Sequence, residues 1–122
     1  MADVLAPGVY GAPRRIDDLS TNELVEARPS IRHDGLELFF FGNDWDARGQ
    51  YDIFTATRAD LDSPWSPRVK LGASVNGPAT NDQQPFIAAD RETLFFVTNR
   101  APGYGGADVW VTVRTKVAAP ED

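Results

Sequence analysis

The stretch RPSIRHDGLELFFFGNDWDARGQYDIFTATR (28–58) decides the fold, because the chain contains it twice. Displaced by 56 residues without a gap, it lies over QPFIAADRETLFFVTNRAPGYGGADVWVTVR (84–114), and ten of the 31 aligned pairs are identical. They are Pro29/Pro85, Ile31/Ile87, Asp34/Asp90, Leu38/Leu94, Phe39/Phe95, Phe40/Phe96, Asn43/Asn99, Gly49/Gly105, Asp52/Asp108 and Arg58/Arg114. Average composition gives about two by chance. Several other pairs are conservative, among them Ile53/Val109 and Phe54/Trp110. A repeat of roughly this period points to propellers or arrays of helical pairs.

Periodicity separates those two. Each unit carries short runs of Phe, Ile, Val, Thr and Trp bounded by Gly, Pro, Asn and Asp, and none shows a sustained helical stripe. The units are therefore all-β. Strands are expected at 28–32 (a), 36–42 (b), 51–58 (c) and 65–71 (d), and in the second unit at 84–88, 93–98 and 107–114. Tight turns fall at His33-Asp34-Gly35 and Ala89-Asp90-Arg91, where Asp and Gly favour turn geometry. Strand b is almost continuously apolar, as a strand covered on both faces should be. A four-stranded unit cannot bury both faces alone, so such units pack around an axis as the blades of a β-propeller.

Pro29-Ser30-Ile31, Asp34-Gly35, Leu38-Phe39-Phe40, a Gly-rich loop, Asp52-Ile53-Phe54 and the Trp65-Ser66-Pro67 connector together resemble the WD-like, TolB-type propeller repeat. The second unit fits through Leu94 to Arg100, Pro102 to Gly106 and Asp108-Val109-Trp110, departing at Arg91, where the family usually has Gly. The resemblance implies two antiparallel four-stranded blades. After the third strand of the second unit only KVAAPED (116–122) remains, too polar for a fourth strand, whereas Val9 to Ile16 is similar to Trp65 to Leu71. An N-terminal outer strand is thus expected to complete the second blade. The organisation read from this is 1–58 for that strand and the first repeat, 59–114 for the first blade's outer strand and the second repeat, and 115–122 for a tail.

Two blades do not close a ring, since propellers have about four to eight. Identical chains joined head to tail, each N-terminal strand completing its neighbour's second blade, would close one, and three copies would give six blades. A heterologous contact of this kind ends in a ring or a filament. The other reading is a piece excised from a longer propeller.

Composition narrows function. The chain has 122 residues, a net charge of −6, one histidine and no cysteine. The acidic balance argues against nucleic acid or an anionic membrane as partner. Absence of thiols removes Cys-type zinc sites and Cys nucleophiles, so no cofactor and no enzyme activity is expected. The longest apolar runs fall far short of the ~20 residues that span a bilayer. Residues 1–12 lack the pattern of a secretory signal, while the family resemblance implies a periplasmic or extracellular soluble protein.

The d-a and b-c loops of a propeller emerge at one face, where such scaffolds carry binding residues. Here they bring Asp44, Trp45, Asp46, Arg48, Asn81, Asp82, Arg100 and Tyr104 to one side, a mixture that suits a protein or peptide, or in the alternative a carbohydrate. The competing reading is that Asn, Asp and Gly there are turn formers. Asp44, Asp46 and Asp52 resemble a calcium loop, but Arg48 occupies the third acidic position. Asp44 and Asp46 could also serve as a glycosidase pair, although no Ser-x-Asp-x-Gly-x-x-Trp box is present. Asp52 and Asp108 read as structural, accepting backbone N–H groups, and His33 as an exposed turn residue.

Overall fold

Runs of β-branched and aromatic residues between turn formers become strands in both units. The computed structural model describes residues 8–20, 26–43, 51–77, 79–104 and 106–115. Its strands are β1 (Glu26–Ile31), β2 (Glu37–Asn43), β3 (Tyr51–Thr57), β4 (Val69–Lys70), β5 (Asp82–Ile87), β6 (Thr93–Thr98) and β7 (Asp108–Val113). They form two antiparallel sheets, of order β1-β2-β3-β4 and β5-β6-β7. The rest of the regular structure described is one 3-10 turn, Asp17–Leu19. The all-β reading holds, and the sheets do not close on themselves.

The repeat is a backbone repeat. Arg28 and Gln84, 56 positions apart, both have φ of 53°, and each precedes a proline, which offers no N–H to a ladder. The strand bulges there and continues, so the pairing breaks register between Ala27 and Ser30 and again between Gln83 and Phe86. This is why β1 and β5 begin two residues before the expected 28 and 84. At the a-b turn Gly35 and Arg91 both take the left-handed region, with φ of 79° and 67°. Asp34 and Asp90 cap that turn alike, accepting from the Leu36 and Glu92 N–H groups at 3.0 and 2.8 Å. Arg58 and Arg114 lock it from strand c, each donating Nε to the carbonyl of the left-handed residue at 2.9 and 2.8 Å.

Strand d is shorter than the expected 65–71. Pro64 and Pro67 cannot donate, so only Val69–Lys70 forms a ladder on β3. The segment still follows β3, because Ser66 N–H reaches Thr57 O at 2.7 Å and Leu71 N–H reaches Ile53 O at 3.1 Å. In the second sheet β7 is the outer strand among the described residues. Residues 8–16 carry no strand. Within one chain the N-terminal segment instead runs over the first sheet, where Asp18 Oδ2 accepts from Trp65 N–H at 3.1 Å.

Alternation along the strands assigns the cores. Phe39 and Phe41 of β2 and Ile53 of β3 face Ile87, Leu94 and Phe96 of the second sheet, with Val75 from the connector filling in. The opposite face of the first sheet, Leu38, Phe40, Phe54 and Ala56, is covered by Leu19 and Trp65. The central strands β2 and β3 are thus buried on both faces, as the continuous apolar run of β2 requires, while β1 keeps Ile31 half exposed. The second sheet is buried on one face.

Polar groups tie the two sheets at the turn end. Glu37, 5% exposed, takes a bidentate pair of bonds from Arg114 at 2.7 and 3.1 Å, together with Arg32 and Thr55. Arg91 pairs with Asp34 at 3.3 Å, and Ser30 Oγ accepts from Ile87 N–H at 3.1 Å.

Candidate functional site

The loop end of the sheets is organised around one arrangement made twice from different residues. Glu26 at the start of β1 and Asp82 at the start of β5 are equivalent positions, and each holds a guanidinium that lies over two rings. In the first unit Arg68, arriving from strand d, donates Nη2 to Glu26 Oε2 at 3.2 Å and to Leu19 O at 3.3 Å. Its guanidinium sits 5.2 Å from the Phe40 ring and 5.0 Å from the Phe54 ring, themselves stacked at 5.8 Å. In the second unit Arg100, arriving from the b-c loop, donates Nη2 to Asp82 Oδ1 at 3.0 Å and to Val75 O. Its guanidinium lies 5.3 Å from Phe96 and 5.6 Å from Trp110. Leu19 and Val75, Phe40 and Phe96, and Phe54 and Trp110 are each 56 apart, whereas Arg68 and Arg100 are not.

Arg100, a desolvated cation over aromatic faces satisfied by a carboxylate and two carbonyls, is a strong fixed structure, whereas Arg68 keeps its Nη1 buried without a hydrogen-bond partner among the described residues. Asp82 is fully buried. It accepts from Thr80 Oγ1 at 2.8 Å and Gly77 N–H at 3.0 Å besides Arg100. Arg100 also donates Nη1 to Ser74 O at 3.2 Å, joining the b-c loop to the d-a connector. Asn76, 7% exposed, closes the connector onto β3: its Oδ1 accepts from Ile53 N–H at 2.7 Å and its Nδ2 donates to Ile53 O and Leu71 O at 2.9 and 2.8 Å.

The remaining expected residues fall as follows. Asn81 bridges the two units, its Oδ1 accepting from Tyr51 N–H and its own N–H donating to Asn99 Oδ1, both at 3.0 Å. Tyr104 stands out of this surface fully exposed, while its N–H is anchored on Asp108 Oδ2 at 3.0 Å. That bond is the structural role expected of Asp108. Asp44, Trp45, Asp46 and Arg48 lie outside the described residues, as does most of the calcium-like loop. The structure therefore brings Asn81, Asp82 and Arg100 together as a rigid base and leaves Tyr104 at the rim. Among the described residues no three His, Cys, Asp or Glu side chains gather as metal ligands, and no helix is long and apolar enough to cross a membrane. His33 is an exposed turn residue.

The shifted acids lie at the other end, in the turns. Arg32 hydrogen-bonded to Asp34 holds that carboxyl down at about 2, with the Leu36 N–H adding to the effect. Bonds from the Thr93 side chain, then its backbone and that of Glu92, lower Asp90. The Ser63 hydroxyl chiefly lowers Asp60. These are turn caps with satisfied acceptors, not acids poised for proton transfer near neutral pH.

Sequence reading missed Arg68 and Glu37. Arg68 has no counterpart at the repeat spacing, so nothing in the alignment pairs it with Arg100. Glu37 does carry a signal: it is the charged residue inside LELFFF (36–41), and a buried charge demands a partner. No protein-family model, no curated protein and no solved structure matches the chain.

Proposed function

We propose that the chain is a pair of adjacent propeller blades that works as a non-catalytic binding module, taking a protein or peptide at its loop end and associating head to tail with further copies. Support for blades comes from the direction of stacking. The first sheet presents its Phe39 side to the second sheet, which packs through its Phe96 side, the equivalent of the Phe40 side that Leu19 and Trp65 cover in the first. A stack that uses unlike faces can continue, as blades do around an axis.

The observation that carries binding is the contrast between Tyr104 and its support. The loop base is fixed by the Arg100 bonds to Asp82, Ser74 and Val75, while the Tyr104 ring is left entirely to solvent. An exposed aromatic on a rigid scaffold supplies contact area at small entropic cost, the property of interaction hot spots. The edge of β7, without a fourth strand among the described residues, offers backbone groups to an extended segment beside it.

A random-peptide display selection on the intact chain tests this reading. Enriched peptides should lose at least tenfold in affinity on Tyr104→Ala and protect residues 99–104 from hydrogen exchange. Failure to enrich any peptide, or binding indifferent to Tyr104→Ala, refutes it. Saturable binding on a glycan array, lost on the same substitution, moves the ligand class to carbohydrate.

A further inference from the structure

Among the described residues, one face of the second sheet is left uncovered. Phe86, Phe95 and Val111 form a row across β5, β6 and β7 by direct pairing, with Val109 and Val113 beside Val111 on the same face. They are 60%, 39%, 55%, 72% and 62% exposed. A contiguous apolar face of this kind marks an interaction surface rather than scattered apolar residues.

The molecule already shows what such a face packs against. The row Phe86, Phe95, Val111 is equivalent, at a spacing of 56, to Ser30, Phe39, Thr55 of the first sheet, whose face is closed by Val75, Ile87, Leu94, Phe96 and Trp110. Those five closing residues have their own equivalents: Leu19, Ile31, Leu38, Phe40 and Phe54. Every one is apolar, and in the first sheet they lie on the face that no other sheet covers. On that face a cleft of about 650 Å³ opens between the N-terminal segment and the turn after β3, with Ile31, Leu38, Leu61 and Trp65 as its apolar lining and a larger polar share that includes Arg14, Asp17 and Arg58.

We infer that the uncovered face of the second sheet docks onto the cleft face of the first sheet in a second copy of this chain, repeating between chains the contact that joins the sheets within one. This rests on the head-to-tail part of the proposed function and names its surfaces. Phe95 enters the cleft over Ile31 and Leu38, as Phe39 packs on Ile87 and Leu94. Arg114 lies over the Phe39 ring at 5.7 Å, and its equivalent Arg58, in the cleft wall, comes over Phe95. Arg114 also reaches across to a carboxylate, Glu37. The docked face offers Asp90 at the corresponding end, beside Thr93, the equivalent of Glu37. The orientation that packs Phe95 on the cleft also brings Arg58 toward Asp90, and the contact is heterologous, so both surfaces stay in use only in a ring or filament.

The test uses two variants blocked on opposite surfaces, with substitutions at exposed positions so that folding is preserved. Val111→Asp spoils the donor face; Ile31→Lys with Leu61→Lys spoils the cleft, both residues being more than half exposed. In sedimentation velocity each variant should fall to the mass of one chain with an unchanged near-UV spectrum. Their equimolar mixture should form a one-to-one heterodimer, because each keeps one intact surface. Val109→Asp should repeat the Val111→Asp result. An assembled Val111→Asp variant overturns these surfaces while leaving head-to-tail association standing. Self-association of the Ile31→Lys/Leu61→Lys variant alone shows a symmetric contact and overturns the inference. A wild-type chain that is itself monomeric overturns both.

Discussion

Replacing Arg100 by Met should destabilise the fold far more than removal of a surface loop arginine. The Met stem still covers Phe96 and Trp110, so packing is largely kept while the charge goes. Left behind is Asp82, with no side-chain exposure and, among the described residues, Thr80 Oγ1 and Gly77 N–H to hold its carboxylate. Removing one partner of a buried pair costs about 3–5 kcal/mol. The two remaining donors, and an Arg100 side chain that is 18% exposed, place the expectation near 3 kcal/mol. For a chain of this length that lowers Tm by roughly 10–15 °C. Asp82→Asn leaves Arg100 its carbonyl acceptors and should cost about 1–2 kcal/mol. The double variant Arg100→Met/Asp82→Asn should be more stable than Arg100→Met alone, since the stranded charge is gone. Urea denaturation of the four proteins, read as a double-mutant cycle, measures the coupling. A loss below about 1 kcal/mol for Arg100→Met, or strict additivity in the cycle, would falsify the reading of Arg100 as the keystone of the loop end.

Other consequences concern the core, the turns and acid stability. Phe96→Ala, at a residue 2% exposed between the sheets, should cost about 3–5 kcal/mol in urea melts, and a cost near zero contradicts the inter-sheet core. Gly35→Ala forces a side chain onto a φ of 79° and into Leu61 Cδ2 at 2.9 Å, so a loss of about 1–2 kcal/mol is expected; an equally stable variant speaks against this turn. Asp34 has its folded pKa lowered to about 2, below the unfolded value of about 3.9. Its contribution to stability is therefore complete above roughly pH 4 and is lost as pH falls toward 2. Denaturation from pH 5 to pH 2 should show a shallower decline in Asp34→Asn than in the wild type, and parallel curves would count against the Arg32–Asp34 bond.

Much of this architecture was legible in the sequence because it is local and periodic. Strand b could be read from Leu38-Phe39-Phe40, the a-b turns from Asp34 and Asp90, and the repeat from identical pairs, of which Asp34/Asp90 and Arg58/Arg114 make the same turn contacts in both units. Arg91 shows where identity is not needed: it takes the left-handed turn position that Gly35 fills in the first unit. Strand limits were less legible. A proline at the fourth position of β1 and of β5 reads as lying at a start, but a bulge at Arg28 and Gln84 lets pairing resume on either side. Prolines flanking strand d had the opposite effect and reduced its ladder to Val69–Lys70. The candidate site was the least legible part. In the second unit the d-a connector and the b-c loop meet, with Asn81, Asp82 and Arg100 adjacent, yet residue type alone does not say whether a polar loop residue is free for a ligand or consumed by the fold. Asp82 and Arg100 are satisfied by each other and by the backbone, whereas Tyr104 faces solvent. Arg68 and Arg100 fill one structural role from unrelated positions, which no spacing rule reveals.

Sedimentation equilibrium of the intact chain tests head-to-tail stacking of the two sheets most directly. The expected result is a whole multiple of the 13.4 kDa chain mass, with three copies for a six-bladed ring, unchanged on dilution into the low micromolar range. A mass of one chain at every concentration, together with a folded near-UV spectrum, would contradict it.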